Sequence, residues 1–210
     1  MHSDRDVLVL GIGNVLWADE GFGVRAVEGL HRAFRFPPGV TLRDGGTLGL
    51  NLYDDIASAH RVLVFDAIDF DLAPGTLRVL RDAEVPAWGR ARLSPHQNGF
   101  NDVLALAQLN GRAPERLTAI GVQPGNLNDF GGSLTDIVRS RLDEAVVLGA
   151  RELAAWGYAG TRWPDGTVPE PLNAAALGLA AYESGRPSEA AACRTGDERV
   201  LRAATTVGEG

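Results

Sequence analysis

Three short apolar runs, at residues 7–10, 61–66 and 117–122, constrain the fold of this chain more than any other feature. Each is rich in aliphatic or β-branched side chains and too short to be a buried helix, so each reads as a strand. A second strand is expected at 40–43 and a fourth at 76–80. Helical spacing fills the gaps. Residues 22–35 put Val24, Val27, Leu30 and Phe34 on one face, and Pro37 and Pro38 stop that helix. A short helix is expected at 48–57, and another at 96–109, entered beside Ser94-Pro95. Residues 133–157 predict one long helix with Ser133 as N-cap and a stripe of Leu134, Ile137, Val138, Leu142, Ala145, Val146 and Leu153. About nine residues separate the third strand from the fourth, fewer than the roughly dozen a parallel crossover needs, so the fourth strand is expected to be antiparallel. Strands alternating with helices give an α/β domain with a mostly parallel sheet.

That domain is expected over residues 1–158. Residues 159–210 change character, becoming rich in Gly, Pro, Ala and charge, and read as a partly ordered or flexible tail with short helices at 173–183 and 197–204. The length of 210 residues suits a single domain with its own core. A lone cysteine, Cys193, cannot form an internal disulfide, so nothing points to an oxidising compartment. The charged start, Met1 to Asp6, lacks the pattern of a signal peptide, and no run approaches the roughly 18 apolar residues that span a bilayer. The expectation is a cytoplasmic protein without membrane insertion, monomeric by default. A formal net charge of −7 argues against nonspecific nucleic-acid binding.

In open α/β sheets, ligands gather beyond the carboxyl ends of the strands. Glu20 follows the first strand, Asp66 ends the third, and His96 opens a later helix; the fold is expected to bring all three to one edge. Two carboxylates and an imidazole suit a borderline divalent ion such as nickel, zinc or copper, and leave positions open for substrate. Taken singly, each has a plainer role: Asp66 as a loop anchor, Glu20 as a solvated loop residue, His96 as a helix cap. The first loop, Gly11-Ile12-Gly13-Asn14-Val15-Leu16-Trp17-Ala18-Asp19-Glu20-Gly21-Phe22-Gly23, lies between strand and helix. It departs from a dinucleotide fingerprint, because Leu16 stands where a third glycine belongs and Asp44 comes too late.

The same loop resembles the opening motif of the nickel–iron hydrogenase maturation endopeptidases. Asp44-Gly45-Gly46-Thr47-Leu48-Gly49-Leu50 is similar to that family's second motif, and Val64-Phe65-Asp66-Ala67-Ile68-Asp69 to its third. Ser94-Pro95-His96-Gln97-Asn98 resembles its histidine-bearing segment, and Gly121-Val122-Gln123-Pro124 its last strand and loop. The order and spacing also match, over residues 7–158. Tyr182-Glu183-Ser184-Gly185-Arg186-Pro187 looks like the tail of longer members that serve uptake hydrogenases. The resemblance implies a three-layer fold, a twisted, mostly parallel five-stranded sheet with helices on both faces. It implies an enzyme, grouped with aspartic-type peptidases, that removes the C-terminal extension of a hydrogenase large-subunit precursor. It maps the metal contacts onto Glu20, Asp66 and His96, and a residue of nickel-dependent processing onto Asp44.

In the resulting hypothesis, nickel is presented by the precursor rather than held by the free enzyme, and it signals that the precursor is ready. Either the metal or a carboxylate, Asp66 or Glu20, activates the water. Gly45 and Gly46 either admit the substrate backbone or form an ordinary turn. Cys193 lies outside the motif-bearing region, and Gly-x-Ser-x-Gly and His-Glu-x-x-His are both absent, which disfavours a thiol, serine or zinc protease. The alternative is a non-catalytic chaperone that checks nickel in the large subunit with the same three ligands.

Overall fold

The computed structural model describes residues 6–85 and 95–186, with the backbone alone at 95–98. Five strands form the main sheet: β1 (Val7–Ile12), β3 (Val40–Gly46), β4 (Arg61–Ala67), β5 (Leu77–Arg81) and β6 (Arg116–Val122). Their spatial order is β3-β1-β4-β6-β5. The first three contacts are parallel, and β5 runs antiparallel to β6 along one edge. The sheet, its composition and the direction of β5 agree with the sequence reading.

The apolar runs are continuous because both faces are covered. Successive side chains alternate across a strand. Val7, Val9, Leu63, Phe65, Ile120 and Val122 therefore enter one core. Leu8, Leu10, Val62, Val64, Leu117 and Ala119 enter the other. The first core packs under α1 (Phe22–Ala33), and Ala145, Val146 and Leu153 of a later helix join it. The second packs under α2 (Tyr53–Ala57), with Ile56, and α3 (Pro95–Leu109), with Phe100 and Val103. A helix layer on each face gives the three-layer α/β arrangement.

Three expected helices differ in detail. Residues 48–57 divide into a 3-10 turn, Gly49–Leu52, followed by α2. The first helix stops at Ala33, and Phe34 turns extended into β2 (Phe34–Arg35), antiparallel to β7 (Thr161–Arg162). The ring of Phe34 lies 4.6 Å from the Arg162 guanidinium, so a partner far along the chain decides its conformation. The long helix predicted over 133–157 is two, α4 (Asp136–Arg139) and α5 (Leu142–Ala155), with α6 (Leu179–Ser184) later in the tail. The Ser140 hydroxyl donates back to the Ile137 carbonyl at the break, and Ile137, expected in the apolar stripe, is 44 % exposed. Ser133 does not cap: its hydroxyl reaches Glu183, and α4 begins after Thr135. The short helix expected at 197–204 lies outside the described residues. Among the described residues no helix is long and apolar enough to cross a membrane.

The helix layer over the first core sits unusually close to the strands at one point. A Cβ on Gly23 would lie 2.2 Å from the carbonyl oxygens of both Ile12 and Phe65. Only glycine lets the first turn of α1 rest on β1 and β4. We expect Gly23→Ala to cost about 3 kcal/mol or more, since backbone on both sides must yield. Urea unfolding should show a lower midpoint at an unchanged slope; an unchanged midpoint would refute the close-packing account.

Candidate active site

The connection from β1 leads through α1 to β3 on one side, and the chain then crosses to β4 on the other side of β1. This reversal makes the carboxyl ends of β1 and β4 the switch point of the topology, the customary ligand position in such sheets. Asp66 is the penultimate residue of β4 and is 1 % exposed. It shares its side of the strand with Val62 and Val64, toward α2 and α3.

Glu20 stands in a 3-10 turn, Ala18–Gly21, immediately before α1. Gly13 makes room for that turn. Its φ is +130°, and a Cβ there would fall 1.8 Å from the Glu20 carbonyl oxygen. The backbone carrying Glu20 is thus folded onto the end of β1. His96 lies in the first turn of α3, and its side chain is outside the described residues. Gly99, further along that helix, would place a Cβ 3.0 Å from the Gly49 Cα, so the start of α3 rests on the turn that follows β3. All three expected metal contacts therefore sit on segments at the carboxyl edge of the sheet. Among the described residues, no group of three or more His, Cys, Asp or Glu side chains is disposed to hold a metal ion; the imidazole of His96 is not among them.

Beside Glu20 stands Asp19, a residue of the opening motif for which the sequence alone indicates no role. It is fully buried. One carboxylate oxygen accepts from the backbone N–H groups of Gly125 and Asn126, at 2.8 and 2.9 Å. The other accepts from the Thr135 N–H at 2.7 Å, and the Thr135 hydroxyl reaches both. Nearby, the Gly131 N–H donates to the Leu16 carbonyl, and the rings of Trp17 and Phe130 meet at 5.2 Å. One buried side chain thus joins the Glu20 turn to the loop after β6. Gln123 does similar work beside it. Its carbonyl accepts from the Phe70 and Leu72 N–H groups, and its amide donates to Asp69. An acidic residue next to a proposed ligand, in a loop that apart from Asn14 is otherwise glycine and apolar residues, is the available signal. Replacing Asp19 by Ala should leave the N–H groups of Gly125, Asn126 and Thr135 without this acceptor, at about 0.5–1.5 kcal/mol each. Amide exchange should accelerate at Gly125, Asn126 and Thr135 well before it does in β6; uniform behaviour across these segments would contradict the anchoring role.

Asp44 is also at the carboxyl edge but on the opposite side of the sheet from Asp66. It continues the β3 positions of Val40 and Leu42, which face α1. Its carboxylate accepts from the Gly46 N–H at 2.7 Å, closing a tight turn through Gly45. The Gly46 carbonyl then accepts from the Gly13 N–H at 3.0 Å, which ties this turn to the first loop. Burial pushes the Asp44 carboxyl above its ordinary range, and hydrogen bonds from Gly46 and Asn173 oppose that rise only in part. Arg25 and Glu28 of α1 also act on it.

A carboxyl whose folded pKa is raised binds more protons in the native state than in the unfolded chain. Stability therefore falls as pH rises from the ordinary aspartate value of about 3.9 through the raised value. Above that window the cost is fully present. Asp44→Asn should raise the thermal midpoint at pH 7, with the gain disappearing toward pH 4 and below. A gain that is independent of pH would place its origin elsewhere.

The family described as hydrogenase maturation protease matches residues 24–152. The hydrogenase expression/formation protein HupD of Thiocapsa roseopersicina is 51 % identical over 203 residues, covering 96 % of this chain and 92 % of its own. The hydrogenase expression/formation protein HoxM of Azotobacter vinelandii is 51 % identical over 197 residues, with 93 % and 94 % covered. Among solved structures, the hydrogenase maturating endopeptidase HybD from E. coli is similar with a TM-score of 0.72 and 39 % identity, covering 75 % of this chain and 97 % of its own. The sheet and its flanking helices are complete by Ala155, and about a quarter of the sequence follows. This chain shares nearly its full length with HupD and HoxM, and exceeds HybD.

Proposed function

The chain belongs to the hydrogenase maturation protease family, and we propose that it is an endopeptidase that removes the C-terminal extension of a nickel–iron hydrogenase large-subunit precursor after nickel insertion. The observation that supports this reading is that the buried Asp66 lies at the carboxyl end of β4 and the Glu20 turn follows the carboxyl end of the neighbouring β1. The start of α3, which bears His96, reaches the same edge.

In this reading Glu20, Asp66 and His96 offer ligands to nickel that the precursor brings with it. Nickel so held supplies Lewis acidity toward the scissile carbonyl and toward water. Asp66 or Glu20 is the group that takes the proton from the attacking water. Burial favours Asp66 for that part, since a carboxyl packed away from bulk solvent is held in one place. Asp44, with Gly45 and Gly46, forms a separate recognition element on the α1 side. The enzyme is proposed to act as a monomer in the cytoplasm on this protein substrate, without nucleic acid or a membrane as partner.

Purified precursor, with and without nickel, gives the test when mixed with the protein and read by intact mass. Loss of a C-terminal peptide is expected only from the nickel-loaded precursor. Asp66→Ala and Glu20→Ala should each slow that loss at least about a hundredfold. Tight binding without any mass change would instead favour the non-catalytic chaperone that checks nickel insertion.

A further inference from the structure

The segment after α5 runs back along one face of α1. The Trp163 indole N–H donates to the His31 carbonyl at 2.9 Å, and the His31 ring meets the Glu170 carbonyl at 2.8 Å. The Asn173 amide donates to Glu28 at 3.2 Å. The Leu177 carbonyl accepts from the Arg25 guanidinium, and the Tyr182 ring lies 5.7 Å from it. His31, Glu28 and Arg25 succeed one another at intervals of three, which is one face of a helix read toward its N-terminus. The turn that carries Glu20 adjoins that end of α1.

There α6 is fastened to the loop after β6. The Tyr182 hydroxyl donates to the Gly132 carbonyl at 3.2 Å. Glu183 takes both guanidinium nitrogens of Arg139, one on each carboxylate oxygen, and accepts from the Ser133 hydroxyl. Arg139 also donates to the Ser133 oxygen at 3.3 Å, which closes a triangle of three side chains. A two-pronged ion pair of this kind fixes direction as well as distance. Two residues beyond Ser133, the Thr135 N–H and hydroxyl hold Asp19. From the same loop the Asn126 carbonyl accepts the Asp19 N–H at 3.1 Å. The loop is therefore gripped from two directions, by α6 on one side and by the Glu20 turn on the other. Gly131, with φ +75°, and Gly132 lie between these attachments, so the backbone there has little stiffness of its own.

We propose that Glu183 is a positioning residue for Glu20. Through Ser133 and Arg139 it fixes the loop after β6, and through that loop it fixes the turn from which Glu20 projects. The C-terminal segment is then a brace for the reaction site. The inference rests on the proposed part of Glu20 in the cleavage of the precursor.

The test uses the full chain with Glu183→Ala, and with Tyr182→Phe as a milder variant that removes one donor and no charge. Amide exchange, measured without precursor, should accelerate about tenfold at Asp19, Glu20 and Thr135 in Glu183→Ala, and about threefold in Tyr182→Phe, while β6 is unchanged. Single-turnover cleavage of nickel-loaded precursor should lose a similar factor in the limiting rate. In a Glu20→Ala background, Glu183→Ala should cost almost nothing further, because its action passes through Glu20. A loss of overall stability alone would speed exchange in β6 as well and would persist in that background. Unchanged exchange at Asp19 and Glu20, an unchanged limiting rate, or an equal loss in the Glu20→Ala background would each overturn the proposal while leaving the peptidase intact. Absence of cleavage by the unsubstituted protein would remove the peptidase reading, and the exchange data would still show whether α6 braces the turn.

Discussion

The contact on which the site depends is the one between the first turn of α1 and the carbonyls of Ile12 and Phe65. It brings a helix closer to the sheet than side chains would allow. Because Glu20 is only three residues before Gly23, the same contact sets its height above the strands. Gly13 then lets the intervening loop fold back instead of arching into solvent. The two bare positions and the carboxylate of Asp19 act together. The first two bring the turn down, and the third ties it sideways to the loop after β6. A group required to meet a substrate in one orientation is better held by such a base than by a free loop.

Much of the architecture was legible in the sequence because local signals and global packing agreed. The runs at Val7, Val62 and Leu117 had no polar alternation, and the structure covers them on both sides. The short spacer before β5 allowed no crossover. The signals failed where distant residues settled the matter. Phe34 has helical spacing but follows Arg162 into a ladder. Ile137 fits an apolar stripe, yet the break at Ser140 turns it outward. Ser133 looks like a cap and is taken by Glu183, fifty residues away.

Within the candidate site, the segments of Glu20, Asp66 and His96 are legible as polar positions at the carboxyl edge of the sheet. The alternation of Val40, Leu42 and Asp44 also carried the information that Asp44 faces α1. What the sequence had no means to convey was the path of residues 163–183. No periodicity marks that segment, and its contacts are single hydrogen bonds and a ring over a guanidinium. Such contacts are specified by position in space, and spacing along the chain leaves no trace of them.

The placement of Asp44 and Asp66 on opposite sides of one sheet has a consequence for how such an enzyme diversifies. On the proposed reading the β-sheet is a partition, with recognition at Asp44 in one compartment and hydrolysis at Asp66 in the other. A lineage can rebuild the α1 side, adding or trimming a C-terminal segment, while Asp66 behind the wall stays as it was.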